Sequence, residues 1–352
     1  MHRLLLLTLL GTTFCATAQP VPACPYHAKD ETSALAILTS TTKCSFLSIS
    51  FNPTESTIEN IARALKTTTS LTKSFYLSPD FVVANDQDHR ATTLIRAMAE
   101  HPALPITQLG LWFESTASTT THSSIDALMA SLQTLLATTT VRIKGISIQN
   151  QAMDTSHVRV WAHILQQYSK LRTLSLHLRS IETNATDSAA FQDRDAAISL
   201  LCETLGEKTT MLKSLTLEPD SVTGSLGVGP LSSQSLGHSL TTNPGTLVNL
   251  DLKGVFSWHS DDLTNIFNGI QHSGRGVLSR LVLTNTTLAS NTEAIESLHR
   301  LLRSDNGFFS NLILDDASKL SYAGKGSFCF IVLLCCWFRL FLVKIKLLDG
   351  CV

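Results

Sequence analysis

Five segments of this chain carry the same six-residue pattern, and that repetition constrains the fold more than any other feature. They are Leu171 to Leu176, Leu212 to Leu217, Leu247 to Leu252, Leu278 to Leu283 and Phe309 to Leu314, of the form L-x-x-L-x-L with Phe in the first place of the last. Four looser copies precede them, entered at Cys44, Thr72, Ile106 and Ile143. Successive starts lie 28 to 41 residues apart, with a mean of about 33. A period in this range marks a repeat array rather than a set of unrelated elements. Within each copy alternate residues point to one side of a strand, so the paired leucines face inward and the residue between them faces out.

The intervening segments read as helices. Ser56 to Leu65, Ile125 to Leu136 and Ile295 to Leu302 place apolar residues at i, i+3 and i+4. Ser123 to Asp126 and Thr292 to Glu296 are suitable helix starts. One strand and one helix cannot bury such a face alone, but stacked copies can, as a parallel sheet inside and a helical wall outside. An ordinary doubly wound α/β fold also alternates strand and helix. It does not require the same motif at every strand. The expectation is an α/β solenoid of about nine repeats.

The motif and the repeat length resemble the ribonuclease-inhibitor-like leucine-rich-repeat proteins over roughly residues 40–320. The resemblance implies a horseshoe with a parallel concave sheet, outer helices and a partner-binding role. The family's turn-forming Asn or Cys is matched only by Asn52, with Asp220 as a possible substitute. Extracellular solenoids often close their exposed end with a disulfide, so Cys24 and Cys44, which flank the array start, are the candidate pair. Cys202 reads as a small buried hydrophobe on a helix.

The ends differ from the array. Residues 1–18 hold one basic residue, a leucine-rich core and a small-x-small exit, as a signal peptide does. Residues 19–43 then form an N-terminal cap and 44–320 the array. Asn184 and Asn285 open N-glycosylation sequons. Residues 321–352 form an apolar tail. Its stretch 328–343 is either a short type I membrane anchor followed by Lys344 and Lys346, or non-native read-through. The expected location is secreted or cell-surface.

Charge argues against some functions. Lys and Arg total 27 against 28 for Asp and Glu, a net of −1, which gives no electrostatic reason to expect nucleic acid. Ser and Thr runs such as Thr67 to Ser70 and Ser118 to Thr121 carry much of the polarity, either as polar turns or as O-glycosylation sites. No catalytic motif, metal-ligand spacing or phosphate loop is present, so the expectation is no enzyme, no metal and no cofactor. The Gly224 to Pro230 segment reads as a flexible insertion.

The concave face is therefore the expected binding surface, with a protein as partner. Tyr76, Trp112 and Phe113 form its aromatic group, and exposed aromatics are enriched in binding hot spots. Trp112 either presents itself to a partner or packs over an irregular repeat. Gln149, His177, Glu218, Asp251 and Lys253 supply polar contacts or an ordinary solvated strip. A glycan or small-ligand binder at the aromatic group and a structural surface protein without a discrete ligand are the alternatives.

Overall fold

A computed structural model describes residues 27–82, 89–113, 123–138, 142–181, 189–207, 211–220, 226–242, 246–253, 260–273, 278–283, 292–304, 311–314 and 344–345. All nine expected strands are present. They are β2 (Cys44–Ile49), β3 (Leu71–Leu77), β4 (Gln108–Trp112), β5 (Gly145–Met153), β6 (Thr173–Leu178), β7 (Ser214–Pro219), β8 (Asn249–Leu252), β9 (Arg280–Leu283) and β10 (Asn311–Leu314). Two-residue strands flank them, β1 (His27–Ala28) on β2 and β11 (Lys344–Ile345) on β10. The eleven strands lie in sequence order, each parallel to the next. A doubly wound sheet would reverse its order at a switch point. No reversal occurs among the described strands, so the doubly wound alternative falls and the architecture fits a repeat solenoid.

Helices alternate with the strands. They are α1 (Glu31–Thr39), α2 (Glu55–Leu65), α3 (Arg90–Ala99), α4 (Ser123–Ala137), α5 (Thr155–Gln167), α6 (Ala189–Gly206), α7 (Pro230–Thr242), α8 (Ser260–His272) and α9 (Thr292–Arg303). Each touches the next, which makes one continuous helical layer. The expected cap at 19–43 contributes β1 and α1, so it repeats the strand-and-helix plan of the array.

The core is a set of ladders. Leu47, Phe75, Leu109, Ile146, Leu174, Leu215, Leu250, Leu281 and Leu312 are consecutive rungs, one per strand. All are buried. Each leucine therefore packs on its own equivalents, which is why the same residue type recurs. Truncating any one to Ala would cost about 2–5 kcal/mol. One motif start needs correction. The third strand is entered at Leu71, not Thr72, because Cys44 pairs with Leu71 and the register shifts before Phe46 pairs with Ser74. Leu71 fills the inward slot completely.

Hydroxyls tie the coils together. Thr68 and Ser70 are buried, and their hydroxyls donate to the carbonyls of Leu38 (2.8 Å) and Ile37 (2.6 Å) at the end of α1. Helix ends leave carbonyls without intrahelical partners, and here the next coil supplies them. Ser239 ties α7 to α6 by donating its hydroxyl to the Cys202 carbonyl at 2.7 Å. These bonds give Thr68, Ser70 and Ser239 their place inside the array. Ser118 to Thr121 lies outside the described residues.

Acidic caps tie the other helix ends. Asp195 of α6 is buried and accepts from the backbone N–H groups of Gly229 (2.9 Å), Leu231 (3.0 Å) and Ser232 (2.9 Å), and from the Ser232 hydroxyl (2.5 Å). It thus caps α7 from a neighbouring helix. The Gly-rich segment expected to be flexible is, over residues 226–229, a packed helix entry with Leu226 and Val228 buried. Gly227 has φ 71, a left-handed conformation that favours glycine. Asp154 caps α5 through Ser156 and His157, and the buried His157 ring bridges Asp154 (2.8 Å) and Asp126 (3.1 Å). Burial lowers the His157 pKa, but the two carboxylates outweigh it and the net shift is upward. The same contact holds Asp154 far below the usual carboxylate range. Asp220 accepts from the Ser180 backbone N–H at 2.8 Å, the turn-bonding role expected of it.

The thiol of Cys202 is free and buried, and desolvation pushes its pKa up to about 12. Cys44 is disulfide-bonded. Its expected partner Cys24 lies outside the described residues, as do Asn184, Asn285, the leader and the 328–343 apolar run. No helix among the described residues is long and apolar enough to cross a membrane.

Candidate functional site

The sheet face away from the helices presents three rows of side chains. The first runs Phe46, Ser74, Gln108, Gly145, Thr173, Ser214, Asn249 and Arg280. The second runs Ser48, Tyr76, Gly110, Ser147, Ser175, Thr216, Asp251 and Val282. The third includes the neighbours Trp112 and Gln149, and then His177 and Glu218. The residues of the second row are neighbours in one ladder.

Across β1 to β4 the aromatic side chains join. His27 meets Phe46 edge-on at 6.0 Å between ring centres. Phe46 and Tyr76 lie 5.2 Å apart with their planes tilted by 31°. Tyr76 meets Trp112 at 6.0 Å, again edge-on. These separations fall in the favourable range for aromatic pairs. Gly110 makes the arrangement possible. A Cβ at that position would lie 2.0 Å from Tyr76 Cδ1 and 2.3 Å from Cε1. The Tyr76 ring therefore rests on bare backbone. Gln108 lies over Gly145 in the same way, with its Oε1 2.0 Å from where a Cβ would be. Trp112 remains 41% exposed, and burial pushes the Tyr76 phenol pKa up. None of the outward residues of β2 to β5 in the three rows bears a formal charge.

Phe113 corrects the sequence expectation. It is fully buried and does not belong to the aromatic group on the open face. Its parity is that of Leu109 and Leu111, both inward, and its backbone N–H donates to the Gln149 carbonyl at 3.0 Å. Phe46 and His27 are the members that sequence reasoning missed. The residue just before the inner leucine also faces out, and reading that position would have found Phe46.

The charged residues gather on β6 to β9 and pair with one another. Glu218 binds Lys253 and lies 3.6 Å from His177 Nε2. Burial lowers the His177 pKa, with Glu218 and Asp220 opposing that shift and Lys253 adding to it. Asp251 takes two guanidinium nitrogens of Arg280, Nε at 2.9 Å and one terminal nitrogen at 3.0 Å. Only 8% of Asp251 is exposed. Gln149 is half-buried beside Ser147 and next to Trp112. The structure thus brings Tyr76, Trp112 and Gln149 together in one zone and His177, Glu218, Lys253 and Asp251 in another.

The helical wall carries a groove of about 600 Å³ over α6 to α8, lined by Glu203, Gln234, His238, Asn265 and His272 among others. It exists because α7 and α8 meet backbone to backbone. A Cβ on Gly269 would lie 2.4 Å from the Gly237 carbonyl oxygen. Among the described residues no group of three or more His, Cys, Asp or Glu is placed to hold a metal ion. No protein-family model matches the chain, and no curated protein is significantly similar to it.

Proposed function

We propose that the chain is a leucine-rich-repeat horseshoe of the ribonuclease-inhibitor-like class, a non-catalytic scaffold that holds a protein partner on its concave sheet face. The observation that carries this reading is the aromatic ladder of Phe46, Tyr76 and Trp112. It leaves a tryptophan in water at the end of a row of rings, while the remaining large apolar side chains of these strands turn inward. Exposed aromatics on a rigid sheet lose little entropy on binding, which makes them effective anchors. Secretion or surface display is part of the proposal. The leader-like N-terminus supports it, and so does the Cys44 disulfide, since disulfides persist in oxidising compartments.

The test is capture by the full-length protein from extracellular fluid, compared with Trp112→Ala. The expected result is about a tenfold loss of captured material, the scale of one interface hot spot. That material should be sensitive to protease. Equal capture by both proteins would sink the aromatic ladder as the contact. Sequencing the N-terminus of the secreted protein tests the leader, with Gln19 as the expected first residue.

A second reading has its own support. Tyr76 lies flat on Gly110, Gln108 lies flat on Gly145, and the zone carries no charge. A flat aromatic face flanked by carboxamides and hydroxyls also suits a neutral glycan. Captured material that resists protease and is released by glycosidase would favour it.

A further inference from the structure

A second surface lies at the N-terminal lip of the sheet, away from the aromatic ladder. Lys73, Thr107, Lys144, Arg172 and Lys213 stand side by side there, one per strand across β3 to β7. Backbone hydrogen bonds fix the alignment. Thr107 N–H donates to the Lys73 carbonyl (2.7 Å), Lys144 to Thr107 (2.7 Å), Arg172 to Lys144 (2.6 Å) and Lys213 to Arg172 (2.7 Å). Neighbouring strands lie about 4.8 Å apart, so the row is about 19 Å long. Lys73, Lys144 and Lys213 are exposed, and Arg172 reaches the Met211 carbonyl at 2.9 Å. None of the four cations forms an ion pair with a described acid.

At the opposite ends of the strands lie the acids Asp80, Asp154 and Asp220. The opposite lip also carries Arg179 and Lys253, so the net charge of −1 conceals a row of one sign at the N-terminal lip and a mixed set at the other. Like charges on adjacent strands repel and do not help folding. Among the described residues no side-chain hydrogen bond or ion pair holds Lys73, Lys144 or Lys213, which leaves their charges open to a partner outside the chain.

We propose that this row binds a linear acidic polysaccharide with one carboxylate per sugar, a polyuronate chain lying across the strands. In a twofold chain of this kind the same-side carboxylates recur at every second sugar, close to two strand spacings of about 9.6 Å, and Lys73, Lys144 and Lys213 stand on every second strand, β3, β5 and β7. The first outward row runs alongside, and Gln108, Thr173 and Ser214 offer carboxamide and hydroxyl partners for the sugar hydroxyls. An extended acidic peptide fits less well, because its same-side carboxylates recur at about 6.8 Å. Single-stranded nucleic acid needs aromatic platforms for its bases. The first row beside these cations holds none from β4 to β7.

The experiment titrates the full chain with polygalacturonate at low ionic strength, against neutral dextran, polyglutamate and oligothymidylate. Binding to polygalacturonate alone is expected, weakening about tenfold between about 50 and 200 mM salt. The triple variant Lys144→Glu, Arg172→Glu, Lys213→Glu should lose at least about tenfold in affinity. The charge-matched variant Lys29→Glu, Arg63→Glu, Arg159→Glu should bind as the parent does. Lys144→Gln with Lys213→Gln spares the Arg172 contact to Met211 and should still show a clear loss, which guards against misfolding as the cause. Equal binding by the two triple variants, no binding to polygalacturonate, or equal binding to polyglutamate or oligothymidylate overturns the proposal.

Discussion

The open face of the sheet divides into two halves built on the same backbone register. On β2 to β5 its residues are uncharged, three aromatic rings touch, and glycine at 110 and 145 lets large side chains lie flat. On β6 to β9 the equivalent rungs carry His177, Glu218, Lys253, Asp251 and Arg280, joined in pairs. The charged half satisfies its own groups and so stabilises itself. The aromatic half leaves the indole of Trp112 in water without a partner for its outer surface. Identical rungs can therefore serve folding in one region and recognition in another.

Four measurements probe that contrast. The largest effect belongs to Asp251→Ala, which strands the Arg280 guanidinium on a partly buried surface. A loss of about 3 kcal/mol in urea unfolding is expected, with little change in partner capture. A neutral result would mean that the charged half does not hold itself together. Next comes Gly110→Ala, which forces the Tyr76 ring off the sheet. It should cost about 1–2 kcal/mol and reduce capture, and Tyr76→Ala in the same chain should erase most of the stability cost. Additive effects would show that the ring does not rest on Gly110.

Trp112→Ala reverses the balance of Asp251→Ala. Unfolding should change by less than about 1 kcal/mol, the scale of one aromatic pair, while capture falls about tenfold. The smallest effects come from pH. His177 has a lowered pKa in the fold, so it favours the neutral ring. Its contribution is present above the ordinary histidine value near 6.5 and is lost as pH falls below it. His157 has a raised pKa, so its contribution is present below about 6.5 and is lost as pH rises through the folded value. His177→Gln and His157→Gln should thus change the slope of stability between about pH 5 and 8 in opposite directions. Parallel changes would contradict the assigned environments.

The strands and the helical wall were legible because one leucine slot recurs at every coil, and its residue type is set by its own neighbours. Phe113 was misread by parity, since its place two residues beyond Leu111 returns it to the core. Phe46 was overlooked because only the residues between and after the inner leucines were read as outward, and the position just before the inner leucine faces the same way. The pairing of Asp251 with Arg280 and the alignment of Lys144, Arg172 and Lys213 could not be read from one strand. Those residues stand about 30 to 40 positions apart, and only inter-strand register makes them neighbours. Charge totals for the whole chain average over this arrangement.

The buried carboxylate of Asp195 also sets a limit on how such a chain can be cut or lengthened. Repeat proteins are usually treated as beads that can be removed or duplicated one at a time. Here the bead ending in α6 carries the start signal of the bead containing α7. A boundary drawn between Gly206 and Gly229 leaves one fragment with an unsatisfied acid in its interior and the other with a bare helix start. Shortened versions of this protein should therefore be divided elsewhere, and natural insertions or losses of a coil at this point would need both halves to change together.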